Sequence, residues 1–185
     1  MRVLRSIDGL AEIPGPVVIA AGVFDGMHLG HRMVLETAQR ESQKLAATAV
    51  ALTFDPHPAT VLRPDSVPGL LTPTPFKLRL MERMGFTHAL VLTFDKDFAA
   101  LQAEDFVEQL SAAANPLAGI CIGEGWTFGN QRRGNIDCGG ARYVVIRYGN
   151  FWQIAMACRG GHISIGIDLG GDPLDIAAEA SDILL

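Results

Sequence analysis

Cysteine is scarce in this chain: three among 185 residues, Cys121, Cys138 and Cys158, with no CxxC spacing. An odd, unclustered set suggests neither a disulfide framework nor a zinc cluster, and a reducing cytoplasm is the expected setting. Long apolar runs are missing too. The N-terminal MRVLRSIDGLAEIPG has no signal-peptide core, and no stretch approaches the roughly 20 apolar residues that cross a bilayer, so no membrane partner is expected. Positive charge is in deficit. With 15 Lys and Arg against 20 Asp and Glu, the formal net charge is −5 and the pI about 5.5. Nucleic-acid binding relies on basic side chains neutralising phosphates, so no such partner is expected. Any anionic ligand must be held by a local site. No GxxxxGK[ST] occurs, which excludes a P-loop kinase of the usual form.

Apolar material is abundant: 49% of residues are hydrophobic and 19% charged, with mean hydropathy +0.24. That is the make-up of a packed globular protein, and the length suits one domain over residues 1–185. VVIAAGVF (17–24) is a short, β-branched, continuous apolar run, as in a strand buried on both faces of a parallel sheet. TAVALTF (48–54), HALVLTF (88–94) and LAGICIG (117–123) repeat that texture. Helical patterns separate them. From about His28, Met33, Val34 and Ala38 fall towards one side, and Arg32, Glu36, Arg40 and Glu41 are more polar. PFKLRLMERM (75–84) carries an early proline and ends before Gly85, while AEDFVEQLSAAA (103–114) opens with acids. Alternating strands and helices predict right-handed crossovers and an open parallel α/β sheet, with ligands beyond the carboxyl ends of its strands.

After about residue 134 the texture changes. ARYVVIRY (141–148), FWQIAMAC (151–158) and HISIGIDL (162–169) read as strands of an antiparallel addition. Asp172 and Pro173 then suit the start of a terminal helix.

Chemistry concentrates in GVFDGMHLGH (22–31), where two of the five histidines, His28 and His31, stand three apart among glycines at a predicted helix start. At that spacing both rings lie on one side of the first turn, beside free backbone N–H groups and partial positive charge. Such a site favours an anion, and a polyphosphate in particular. The stretch does not fit GxGxxG, and two histidines without a third ligand make a poor zinc site. Standing alone, the pair could equally be helix caps. TFDPHP (53–58) ends the second strand on the same sheet edge; it is either a proline-stiffened loop or the facing wall of the site.

GVFDGMHLGH, TFDPHP, Leu71-Thr72 with Lys77, the FDxxFAxL run at 94–101 with Phe106, and GEGWTFG (123–129) followed by Arg133-Gly134 together resemble the FMN adenylyltransferase (FAD synthetase) module of bacterial bifunctional riboflavin kinase/FAD synthetases. HxGH by itself marks only the wider nucleotidyltransferase superfamily. The resemblance covers residues 15 to about 134. It implies a Rossmann-like nucleotidyltransferase fold with helices on both faces, and transfer of AMP from ATP to FMN, giving FAD and pyrophosphate. Magnesium would arrive on the ATP phosphates rather than on protein ligands. His28 and His31 would be catalytic. Gly22, Phe24, Asp25 and Gly30, with Gly123, Phe128 and Gly129, would shape the ATP pocket, and Asp55, Pro56, His57 and Pro58 would border the flavin.

The chain also departs from that pattern. Gly125 and Trp126 stand where the family usually has Asn or Asp and then Phe, and 135–185 diverges: of an ISSTxIR motif only Ile163-Ser164 remain. Asp168, near the expected arginine, would repel phosphate. No riboflavin kinase module is expected. Weakened turnover is therefore one expectation. The alternatives are a nucleotide- or flavin-binding homologue that lost catalysis, and a nucleotidyltransferase with another phosphorylated acceptor. The tail is either natural divergence or the product of a frameshift, and its regular strand patterns favour the first.

Overall fold

The computed structural model describes residues 1–67, 69–123 and 127–130, together with the backbone of 143–148, 151–158 and 161–168. Five parallel strands form the frame: β1 (Arg2–Leu4), β2 (Val17–Ala21), β3 (Thr48–Phe54), β4 (His88–Leu92) and β5 (Leu117–Ile122), in the order β1-β4-β3-β2-β5. Beyond β5 the backbone adds β6 (Tyr143–Tyr148), parallel to β5, then β7 (Phe151–Cys158) and β8 (Gly161–Asp168), both antiparallel to their neighbours. The helix expected from Asp172 lies outside the described residues, as do Gly125, Trp126 and the Arg133-Gly134 pair.

Among the described residues, five α-helices accompany the strands: α1 (Leu29–Lys44), α2 (Pro58–Leu62), α3 (Thr74–Arg83), α4 (Lys96–Ala100) and α5 (Ala103–Ala113). All five residues of β2 are buried, because the strand is covered on both faces. Val17, Ile19 and Ala21 point into one core with Leu110 and Phe106 of α5. Val18 and Ala20 point into the other, with Leu35 and Ala38 of α1 and Met81 of α3. Both cores are thus drawn from alternate residues of the same strand. Among the described residues no helix is long and apolar enough to cross a membrane.

The inward face of α1 differs from the pattern read in the sequence. Leu35, Thr37, Ala38, Glu41 and Ser42 are buried, whereas Met33 is 37% exposed. Glu41 was expected outside, yet it is 2% exposed. Its carboxylate can sit there because Arg40 Nε (3.0 Å) and Lys44 Nζ (3.5 Å) cover it from the solvent side. On β5, Cys121 faces the same layer, fully enclosed, and burial together with the nearby Glu41 charge pushes its thiol up to about 12.

The strand order sets where a ligand can lie. From β2 the chain proceeds through β3 to β4 on one side, then crosses to place β5 on the other. The helices associated with these crossings, α1 and α5, pack on opposite faces. The segments leaving the carboxyl ends of β2 and β5 therefore diverge and open a crevice at this switch point. On one side of the sheet a file of aromatic rings fills the space near the carboxyl edge: Phe54, Phe94, Phe98, Phe106 and Phe128, with neighbouring centroids 5.5 to 5.8 Å apart.

Candidate functional site

The segment leaving β2 is a tight turn whose shape depends on its glycines. Gly22 is held to the sheet by its N–H on the Leu52 carbonyl (3.1 Å), and a Cβ at Gly22 would sit 3.0 Å from the Phe24 ring. Phe24 is in the left-handed region (φ 53, ψ 33) and 1% exposed, so its ring folds back under the turn. On Phe24 stands His31, edge to face at 5.4 Å and 80°. On His31 lies His28, stacked at 3.5 Å and 24°. Gly30 completes the arrangement, because a Cβ there would meet the His28 ring at 3.3 Å. These two glycines make room for rings.

His28 is the N-cap of α1, and its Nδ1 accepts from the His31 N–H at 3.3 Å. In the neutral ring the proton then resides on Nε2, which leaves His28, an exposed residue, a donor to offer outward at the positive end of the helix. His31 is half-buried; its Nδ1 is enclosed without a hydrogen bond. Burial first, then the neighbouring His28 and Lys77, bring its pKa down to about 4, against a smaller opposing pull from Asp25. His31 is therefore neutral at physiological pH.

Asp25 fastens the turn to the loop before α3. Its Oδ1 accepts from the N–H groups of Thr72 (2.7 Å) and Gly26 (3.1 Å), its Oδ2 from that of Leu71 (3.2 Å), and Gly26 N–H also donates to Thr72 Oγ1 (2.9 Å). Burial would raise its pKa, but these backbone donors outweigh it and hold the carboxyl below its usual range.

TFDPHP occupies the neighbouring strand end. Asp55, exposed, extends the sheet with its N–H on the Leu92 carbonyl (2.9 Å), and Pro56 follows it at the surface. His57 caps α2, Nδ1 accepting from the Ala59 N–H at 3.0 Å, and Pro58 opens that helix. The segment thus runs from the strand end into the start of a short helix. Burial lowers the His57 pKa, with Asp25 opposing. The mutual influence of Asp25 and His57 brings the β2 and β3 ends into one site.

At the end of β5, Gly123 looks towards α1: a Cβ there would have Val34 as its nearest neighbour, at 3.8 Å. Phe128 and Gly129 lie against the α5 layer. Phe128 packs edge to face on Phe106, and Gly129 (φ 72) comes so close to α5 that a Cβ would fall 2.6 Å from the Ala103 nitrogen. Among the described residues no group of three or more His, Cys, Asp or Glu side chains could hold a metal ion.

Sequence reasoning named Lys77 among the residues that carry the family resemblance but gave it no role. It belongs to α3, is 3% exposed, and its Nζ donates to the Val23 carbonyl (2.5 Å) and Thr53 Oγ1 (3.3 Å). The signal available was its spacing: Lys77 lies four residues before Met81, on the buried stripe of α3.

The family model for FAD synthetase matches residues 10–143. A bifunctional riboflavin kinase/FMN adenylyltransferase of Buchnera aphidicola is 33% identical over 137 residues, 74% of this chain and 44% of the relative. That of Escherichia coli K12 is 32% identical over 136 residues, 73% of this chain and 44% of the relative. The chain thus spans less than half the length of these two relatives. A relative from Geobacillus thermodenitrificans is 36% identical over 136 residues, 74% of this chain and 72% of that one. Among solved structures, one described as a macrolide-efflux protein from Streptococcus pneumoniae superposes with a TM-score of 0.60 at 26% identity, over 72% of this chain and 44% of that one. The matched segment contains the whole β2–α1 turn, the TFDPHP strand end and Lys77, and by that match the chain belongs to the FAD synthetase family.

Proposed function

We propose that this chain transfers the adenylyl group of MgATP to the phosphate of FMN, forming FAD and pyrophosphate. The observation that carries the proposal is the stacked His28–His31 pair at the start of α1, set against the Asp55–Pro58 segment on the next strand end, within a chain of the FAD synthetase family. Two half-sites on adjacent strands suit two phosphate-bearing substrates that must meet.

In the reaction an oxygen of the FMN phosphate attacks the α-phosphorus of ATP, and the bond to the departing pyrophosphate breaks. No covalent enzyme intermediate is needed, so the protein contributes positioning and charge stabilisation. The His28 Nε2–H and the free N–H groups of the first α1 turn are the donors for that charge. His31 supports the His28 ring from below and is neutral in the ligand-free protein. Gly22, Phe24, Asp25 and Gly30 shape the ATP side by fixing the turn, with Gly123 across the crevice. Phe128 and Gly129, packed against α5, belong to the ATP side as well, and Asp55, Pro56, His57 and Pro58 border the flavin. Magnesium enters with ATP. The unclustered cysteines fit a cytoplasmic setting.

The test is to incubate the protein with FMN and MgATP and follow FAD by chromatography. His28→Ala and His31→Ala are each expected to lower the rate by about a hundredfold or more, in the range seen when donors to a developing charge are removed. Binding of either substrate without FAD formation would overturn the enzymatic reading in favour of a binding protein. An FMN analogue lacking the phosphate should give no adenylylated product.

A further inference from the structure

Lys77 is a buried amine whose pKa is lowered by burial, with the Asp25 and Asp55 carboxylates opposing without touching it. Its ammonium is buried, its two hydrogen bonds go to uncharged oxygens, and no carboxylate pairs with it among the described residues. Enclosing an ammonium without a counter-ion is costly, and a fold keeps such a group where its charge or its bonds are used. The bonds join three separate parts of the chain. Val23 belongs to the turn that leads into the histidine pair. Thr53 is the last but one residue of β3, two before Asp55, and its hydroxyl also donates to the Val23 carbonyl at 3.0 Å. Lys77 itself is held on α3, whose Met81 is anchored in the core. Its electrostatic neighbours are all site residues: Asp25 and Asp55 partly offset the cost of burying it, and its charge in turn lowers the pKa of His31 and His57.

Resting on the adenylyl-transfer reading, we propose that Lys77 is a positioning residue for the reaction. By tying the Val23 carbonyl to Thr53 it fixes the spacing between the histidine pair and the Asp55–Pro58 wall, and it leaves beneath both half-sites a positive charge that incoming phosphates complete. The two half-sites sit on different strand ends, and the nucleophilic oxygen must meet the α-phosphorus within a few tenths of an ångström. A tether between the strand ends therefore acts on the transfer step more than on either substrate's binding.

The test is Lys77→Met, which keeps the length of the side chain and removes the charge and both bonds. In ligand-free protein the His31 ring is read by NMR titration. The charged groups facing it are His28 at the α1 cap, Lys77 on α3 and Asp25 in the turn. Removing the ammonium should move His31 upward from about 4 towards its ordinary value. With substrates, kcat per folded molecule should fall about tenfold or more, while KM for FMN and ATP changes by less than about threefold. A lysine that only braced the fold would lower the melting temperature and leave the His31 titration where it was. An unmoved His31, or a kcat within about twofold of the parent, overturns the proposal. If Lys77→Met does not fold, Thr53→Val removes the shared hydroxyl and keeps the charge. It should lower kcat severalfold with His31 still titrating at about 4, and an unchanged kcat overturns the tether. Should the parent protein make no FAD, the adenylyl-transfer reading fails by itself, and the ligand-free titration still decides whether Lys77 governs the histidine site.

Discussion

His28 and His31 touch face to face in different surroundings. His28 is exposed and has committed Nδ1 to the helix cap, so its outward nitrogen is a donor whatever the ligand; His31 is enclosed and titrates far below an ordinary histidine. Proton linkage gives the sign of the consequence. With a folded pKa of about 4 against 6.5 in the unfolded chain, the unfolded state binds more protons between those values. Stability should therefore fall as pH drops from 6.5 to about 4 and change no further through this group below that. His57 and His88, also lowered, act in the same direction. Denaturant midpoints across this range check the point, and His31→Gln should flatten the curve. A bound polyphosphate favours the protonated ring, so tripolyphosphate should raise the His31 titration in the folded protein, which NMR can follow. Gly30→Ala should separate stability from function. Alanine suits a helix better than glycine by up to about 1 kcal/mol, yet its methyl would meet the His28 ring at 3.3 Å. The expected result is an unchanged or higher melting temperature with slower FAD formation. HxGH was legible because its spacing and its place after a buried strand have only a few physical readings. Lys77 was not, because a lysine in a helix is solvated by default and only the three-dimensional path of Val23 and Thr53 reveals its acceptors.

Among the elements, the helices show which side-chain patterns can be trusted. α3 and α5 run at Thr74–Arg83 and Ala103–Ala113, close to the spans marked by Pro75, Gly85 and the acidic first turn of α5. β1 escaped notice because three residues carry no periodicity, and α2 and α4 because a helix of five residues is defined by its caps, His57 and Asp95, more than by its faces. On α1 the apolar count misled in part: of Met33, Val34 and Ala38, Ala38 is buried and Val34 packs on the core, but Met33 is exposed, and the fold also turns Leu35 inward and accepts Glu41 with its cations. Leu35→Ala should therefore cost about 2–5 kcal/mol of unfolding free energy, and Met33→Ala less than about 0.5. Denaturant titration of the two variants ranks them, and equal effects would contradict the observed face of α1. Gly129→Ala should also destabilise the protein, since the new methyl would overlap the Ala103 backbone from a left-handed residue.

For the molecule as a whole, strand order matters more than any single strand. The parallel frame was legible from four apolar runs separated by helical patterns, but its order β1-β4-β3-β2-β5 was not, since pairing partners leave no local trace in composition. That order brings the ends of β2 and β3 side by side and opens the crevice beyond β2 and β5, so it decides which motifs can share a ligand. It also places Cys121 of β5 directly under α1, the helix whose first turn carries the histidine pair. A thiol held near 12 is almost entirely protonated at pH 8, and alkylating reagents attack the thiolate. Cys121 is thus a clock built into the sheet: its modification waits on openings of the layer that α1 and α3 lay over it, and mass analysis of its peptide would follow them. On the proposed reading, in which MgATP binds at the start of α1, the nucleotide should slow that clock.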